Sequence, residues 1–444
     1  SSSSQAQTCF CRLRNGVNPW RSARLPTWYW HMIRYRKTWL GLSLIFRVTG
    51  TSWPHGVLPG LLATCMSIAL GIWENLDSEI RDRNNFISHP YAFQLFAYLL
   101  GFLMVFRTNF AYNRYWEAMG MVQAMGAKWL DGACMAIAFD AGGNNSTPLL
   151  DGMNDDGSTS PHPTTSGKGG PMHREFAADI VHLCSLLHAL ALQHFRGDSD
   201  LNNILEAKDN AGNHMRGSMT DDLELSQLEP RGPTGNSFLK VEGTFATYQQ
   251  NYLLKKYSEQ QLKVLGGLNP RERRALEDDE NGQPRPTEVR VAMVEGWYMR
   301  RLIARQKFEQ GESAATSPPI LSRLYQVISD GCLWFSHASK IAITPFPFPY
   351  HNLISIFLWS YTLMVPFLIN GVIMNDVLRA VFTFNAVFSY HSLSAVGDNL
   401  EDPFFPYDPN ELPLQEIQDT VNQRLLAFGI TPSVEDSNGA PKLD

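Results

Sequence analysis

Residues 84–118 read NNFISHPYAFQLFAYLLGFLMVFRTNFAYNRYWEA, and the first part of that stretch, Asn84 to Phe106, holds no Asp, Glu, Lys or Arg. A helix needs about 20 mostly apolar residues to cross a bilayer. A core helix of a soluble protein turns a polar face outward within about 11 residues. An uncharged run of this length therefore predicts a membrane span, roughly residues 90–110. Charge returns at Arg107, Arg114 and Glu117, directly behind the span. These side chains are expected to form structural ion pairs with one another rather than to bind ions.

Three more uncharged runs lie outward from this one, Thr51 to Trp73, Ile341 to Asn375 and Ala380 to Gly397. Together they predict four membrane helices in two pairs, at 56–74, 90–110, 350–369 and 375–396. Pro54, Pro90 and Pro349 sit near helix starts, where a missing N–H costs nothing. Pro366 falls inside the third span and is expected to kink it. Gln94, Asn109, Asn113, Asn352, Asn385 and His391 lie in or beside the spans. Polar groups at that depth face a protein interior or a water-filled path, which suits a conduit better than an anchor. The alternative is hydrogen bonding between helices.

The rest of the chain is polar, so the mean hydropathy of −0.20 conceals the membrane blocks. A net charge of −6 over 444 residues argues against a nucleic-acid partner. No acid precedes Glu74, whereas Arg12, Arg14, Arg21, Arg24, Arg34, Arg36, Lys37 and Arg47 do. Such a basic lead-in suits contact with anionic lipid. The Ser- and Arg-rich start is expected to be either a transit-peptide remnant or a disordered basic arm. Six cysteines do not make a disulfide framework. Cys65, Cys184 and Cys332 are expected to be small buried hydrophobes, and the Cys9–Cys11 pair lacks a second pair to complete a metal site.

The chain divides into an arm (1–28), a first helix pair (29–140), a loop (141–171), a helical extramembrane domain (172–349), a second pair (350–397) and an acidic C-terminal segment (398–444). In the polar middle, helical periodicity marks Arg174 to Arg196, Phe238 to Leu265, Val289 to Phe308 and Ser322 to Ile341. Ala141 to Pro171, Gly197 to Gly235, Gly267 to Thr287 and Gln310 to Pro319 are disorder-like. His182, His188 and His194 recur every six residues, which puts neighbours on different helix faces and disfavours a shared metal. No H-x₃-H, H-x₄-D or G-x-S-x-G occurs, so no enzyme motif is present.

Four ordered segments resemble the bestrophin family. Gly101 to Phe106 leading into Arg107-Thr108-Asn109-Phe110-Ala111-Tyr112-Asn113-Arg114-Tyr115-Trp116-Glu117-Ala118 is similar to the family signature. Phe46 to Pro54 resembles the segment before the first span, and Thr344-Pro345-Phe346-Pro347-Phe348-Pro349-Tyr350 the entry to the third. Glu401-Asp402-Pro403-Phe404 with Pro409 to Leu414 resembles the segment after the fourth. The resemblance omits the arm before about Tyr29 and the long loops.

It implies an all-α membrane protein with four transmembrane helices per subunit and a helical cytosolic domain. Five subunits would ring an axial pore for chloride and other small anions, bicarbonate among them. The partners implied are other copies of the chain, the lipid membrane and inorganic anions, and no cofactor is required. The positions matching the narrow neck are Tyr98, Phe102 and Phe106. Their i, i+4, i+8 spacing keeps them on one stripe about 12 Å tall. Ring edges are positive, so such a constriction is dry and weakly favourable to anions. Tyr98 departs from the small aliphatic residue usual at the first position. A second, cytosolic aperture falls at Ile328, to within a helical turn. Some animal members clasp calcium after the fourth span, at positions matching Asn399, Asp402, Asp408 and Glu411. Phe405 replaces the family glycine there, and an extra residue precedes Asp408. The family's occurrence in photosynthetic cells and the arm together point to a plastid membrane such as the thylakoid. The alternative function is a non-conducting tether whose long polar loops recruit a soluble partner.

Overall fold

The computed structural model describes residues 50–76, 91–142, 171–207, 260–279, 282–306, 317–404 and 410–427. Helix α1 spans Trp53–Leu76 and α2 spans Tyr91–Gly142. Then come α3 (Pro171–Phe195), strands β1 (Ile204–Glu206) and β2 (Leu262–Val264), α4 (Pro270–Glu277) and α5 (Thr287–Ala304). Helices α6 (Pro318–Ile343), α7 (Phe348–Val372), α8 (Asp376–Glu401) and α9 (Leu414–Leu426) follow.

Four stretches have the length and composition to cross a membrane: Trp53–Trp73, Phe93–Asp140, His173–Phe195 and Pro318–Val372. Burial separates them. The apolar window of α3 is 78% buried within the protein, against 22–39% for the other three. Its hydrophobicity is thus consumed by a protein core, while α1, the first half of α2 and α7 turn Leu62, Leu95, Phe367 and similar side chains outward. Helix α8 fails the same composition criterion, because Asp376 and Arg379 open it and Ser389, His391, Ser392 and Ser394 interrupt it. It nevertheless packs along α1, α2 and α7, and it exposes Val377, Leu378, Val381 and Phe382.

Two cores result. The membrane-side core joins Ala63 of α1, Leu100 and Met104 of α2, Ile354, Leu358, Tyr361 and Val365 of α7, and Val387 of α8. The α1–α8 contact is close because Gly56 and Gly60 stand one turn apart on α1. A Cβ on Gly56 would lie 2.6 Å from the Phe388 carbonyl oxygen, and one on Gly60 would lie 3.0 Å from the Phe384 ring. The extramembrane core gathers the second half of α2 with α3, α5, α6, α9 and the strands, around Trp129, Leu187, Phe195, Tyr298 and Phe335. Gln418 of α9 ties three elements of it: His188 Nδ1 lies 2.6 Å from its Oε1, and its Nε2 donates to the Lys263 and Ser185 carbonyls.

Several expectations change. Helix α2 does not end near residue 110 but runs on to Gly142. The periodic stretch 238–265 ends in a strand, β2, which pairs in parallel with β1 through Ile204↔Leu262; residues 238–259 lie outside the described residues. The disorder-like stretch 267–287 contains α4, started by a capping box between Asn269 and Glu272. Cys65 is exposed rather than buried, on a helix whose surroundings are apolar, while Cys184 is buried. Helix α7 continues through Pro366 to Val372. Each of the three histidines has its own partner: His182 meets Glu272, His188 meets Gln418, and His194 bridges Thr287 and Ser339.

Candidate functional site

Helix α2 carries two opposed faces. Leu100, Met104, Arg107, Ala111 and Ala118 are all nearly fully buried against α6, α7 and α8. At 100° per residue these five cluster within about 60° of one another, on the side away from Tyr98. The opposite face is exposed. Tyr98 (75%), Phe102 (59%) and Phe106 (40%) lie on it, and the Phe102 and Phe106 ring centroids are 4.4 Å apart, edge to face. Phe110 continues the ring chain, 6.2 Å beyond Phe106.

The exposed face continues beyond the uncharged run that ends at Phe106. Tyr98, Phe102, Val105, Asn109, Tyr112, Trp116, Gly120, Gln123 and Ala127 are all exposed, at alternating steps of three and four with one extra step of four. A 3–4 repeat of this kind is the surface on which helices pack around a common axis.

Arg107 holds the buried face in place. Its Nη2, with two N–H groups, lies within hydrogen-bond range of Glu401 Oε2 (2.9 Å), Asp398 Oδ1 and His351 Nδ1 (2.8 Å), and its Nη1 donates to Ser394 Oγ at 3.3 Å. The expected pairing among Arg107, Arg114 and Glu117 is replaced by pairing across the bundle. Arg114 donates to the Ile341 and Thr344 carbonyls, at 2.6 and 2.5 Å, and lies 4.0 Å from Asp402. Glu117 is exposed. Asn385 bonds the Val381 carbonyl within its own helix, and His391 meets Thr362 across helices at 2.9 Å.

Ile328 is turned into the protein interior. Its side chain is 1% exposed and packs in the extramembrane core, against Gly132. The exposed positions within a turn of it on α6 are Gln326 and Ser329. An isoleucine on an amphipathic helix is drawn to the core, and here that preference decides.

The four calcium-matching positions form no clear site among the described residues. Asn399 donates its amide to Ser52, Asp402 stands beside Arg114, and Asp408 lies outside the described residues. His351, Asp398 and Glu401 do cluster within coordination range. The Arg107 guanidinium already fills that cluster, so its donors are turned onto a cation the protein supplies.

Sequence comparison agrees with this architecture. A family model described as "Bacterial/Fungal Bestrophin protein" matches residues 31–131 and 241–427. No curated protein matches significantly. Among solved structures, the bacterial bestrophin homolog from Klebsiella pneumoniae superposes with a TM-score of 0.50 at 13% identity, covering 84% of this chain and 97% of that one. A point variant of that homolog gives 0.50 at 13%, with 84% and 98% covered. A structure described only as a membrane protein gives 0.51 at 13%, with 84% and 98% covered. At such identity the superposition speaks for the fold, and the family model, which spans more than half of the sequence, speaks for descent: the chain is a membrane protein of the bestrophin family.

Proposed function

We propose that the chain is one subunit of a homopentameric anion channel whose axial pore is lined by the exposed face of α2. The observation that carries this reading is the continuity of that face. In the membrane an exposed aromatic stripe is equally at home in lipid. Beyond the membrane it is not, yet Tyr112 and Trp116 remain exposed on the same 3–4 repeat. Exposed aromatics off the membrane mark an interaction surface, and a repeat continuous along one helix fits other copies of that helix.

In this assembly Tyr98, Phe102 and Phe106 form the neck. The edge-to-face contact of Phe102 on Phe106 constrains both rings. Ring edges turned to the axis favour a partly dehydrated anion and disfavour a cation, with little discrimination among chloride, bicarbonate and other small anions. A second aperture on α6 falls within a turn of Ile328, where Gln326 and Ser329 are exposed. Helix α8 serves as the fourth membrane helix, with Thr383 turned to α1, Ser394 to α2 and His391 to α7, while Asn385 and Ser389 bond carbonyls of their own helix. Bestrophin-family channel proteins are not enzymes, and a channel needs no catalytic group. The plastid location rests on the composition of the arm, residues 1–28, which lies outside the described residues; imaging of tagged full-length protein tests it.

The test of the neck is current through purified protein in bilayers. Phe102→Ala and Phe106→Ala change chloride conductance or anion selectivity by about threefold or more if these rings form the constriction. Unaltered currents in both variants refute the neck, and silent bilayers with the parent protein favour the tether.

A further inference from the structure

The aromatic stripe of α2 is followed by two amides. On a continuous helix, Asn109 lies about 20° and Asn113 about 60° round from Tyr98, within the arc of about 80° that Tyr98, Phe102 and Phe106 occupy. They stand about 4.5 and 10.5 Å further along the helix than Phe106. Both are exposed, and neither has a hydrogen-bond partner among the described residues. Asn385, Asn399, Asn410 and Asn422 each donate their amides to a carbonyl or hydroxyl, whereas Asn370 is buried with neither side-chain atom bonded.

The same stretch offers no cation on this face. Arg107 is on the opposite side of the helix, 1% exposed, and bonded to Asp398 and Glu401. Arg114 also points back, onto the Ile341 and Thr344 carbonyls. An anion leaving a dry aromatic section must regain hydrogen-bond donors; the first side-chain donor on this face beyond Phe106 is the Asn109 amide, followed by the Tyr112 hydroxyl and the Asn113 amide.

We propose that Asn109 and Asn113 form an anion-coordinating amide collar at the inner mouth of the neck, offering side-chain N–H donors to a partly dehydrated chloride or similar small anion. This rests on the axial-pore reading above. Five subunits bring ten amides to the collar. Each amide can turn its NH₂ to an anion, so the collar eases rehydration without the trap that a ring of fixed positive charges would make. It binds by hydrogen bonds and discriminates little among anions of similar size.

The experiment records purified protein in planar bilayers under asymmetric potassium chloride, comparing the parent with Asn109→Asp, Asn113→Asp, Asn109→Gln, an Asn109→Ala/Asn113→Ala double variant and Phe102→Ala. A ring of five carboxylates at either position lowers chloride conductance by about tenfold or more and moves the reversal potential toward potassium. The double alanine variant, which adds no charge, lowers conductance about threefold or more, while Asn109→Gln, which keeps the amide, stays within about twofold. If the aspartate variants do not assemble, the alanine and glutamine variants decide alone. Parent-like conductance in the double alanine variant, with Phe102→Ala altered, overturns the collar and leaves the neck standing. The same follows if the alanine variant only loosens the oligomer. If Phe102→Ala is also indifferent, the pore reading fails and the collar falls with it.

Discussion

Replacing Arg107 by methionine keeps the stem of the side chain and removes its charge. The guanidinium is 1% exposed and bonded to Asp398, Glu401, His351 and Ser394, so the change leaves two carboxylates facing each other without their cation. Removing one partner of a buried ion pair costs about 3–5 kcal/mol. The Asp398 side chain is 47% exposed and water takes over part of its stabilisation, whereas Glu401 at 16% is the more deeply committed partner. The expected loss is therefore at the lower end, about 3 kcal/mol. For a chain of 444 residues, at about 2.1 cal/mol/K of unfolding entropy per residue, that is a fall of about 3 °C in the thermal midpoint, read by tryptophan fluorescence in detergent. Adding Glu401→Gln to Arg107→Met removes the more buried uncompensated charge, so the double variant recovers about 1–2 kcal/mol relative to the single one. A single variant that melts with the parent, or a double variant no more stable than Arg107→Met, refutes the account of how α2 is clamped to α7 and α8.

Gly56→Ala drives a methyl group toward the Phe388 carbonyl and forces α1 away from α8, costing about 1–3 kcal/mol in the same melting assay. Gly296→Ala, where nothing lies within 4 Å of the new Cβ, is neutral or gains up to about 1 kcal/mol; equal melting of the two variants contradicts the packing argument. Buried His188 and half-buried His182 give the extramembrane domain opposite pH limbs. Burial holds His188 down to about 4, so the unfolded chain alone takes up its proton as pH falls below 6.5, and stability drops by about 3 kcal/mol between there and 4. For His182, burial acts to lower the value, but the hydrogen bond and charge of Glu272 outweigh it and leave it raised. Its contribution is complete below 6.5 and is lost as pH rises through the higher folded value. His182→Gln removes that upper limb in urea titrations at a series of pH values, and an unchanged loss above 6.5 counts against the pairing with Glu272.

What the sequence made legible is what depends on runs of residues. Uncharged length gave the positions of α1, the start of α2, α7 and α8, because a bilayer imposes a minimum span that composition must satisfy. It misplaced the end of α2, since Arg107 and Arg114 look like a boundary. Both are accommodated inside the bundle, by partners as far as 294 residues away in the chain. No local pattern announces such a pairing. Strands of three residues are too short to show a period, so β1 and β2 were hidden, whereas the N-x-x-E signature of α4 and the G-x-x-x-G of α1 were present in plain view. Cys65 was misjudged because apolar residues of a membrane helix are driven outward as readily as inward. Ile328 shows what counting leaves open: one residue on a helix is about 100°, so a position held to within a turn can fall on the core face or the exposed one.

The most direct test of the channel reading is the reversal potential of the purified, unsubstituted protein in bilayers across a tenfold potassium chloride gradient. An anion-selective pore reverses close to the chloride equilibrium value, about 59 mV in magnitude. Reversal at the potassium value, or bilayers that stay silent while the protein runs as an intact oligomer, contradicts it.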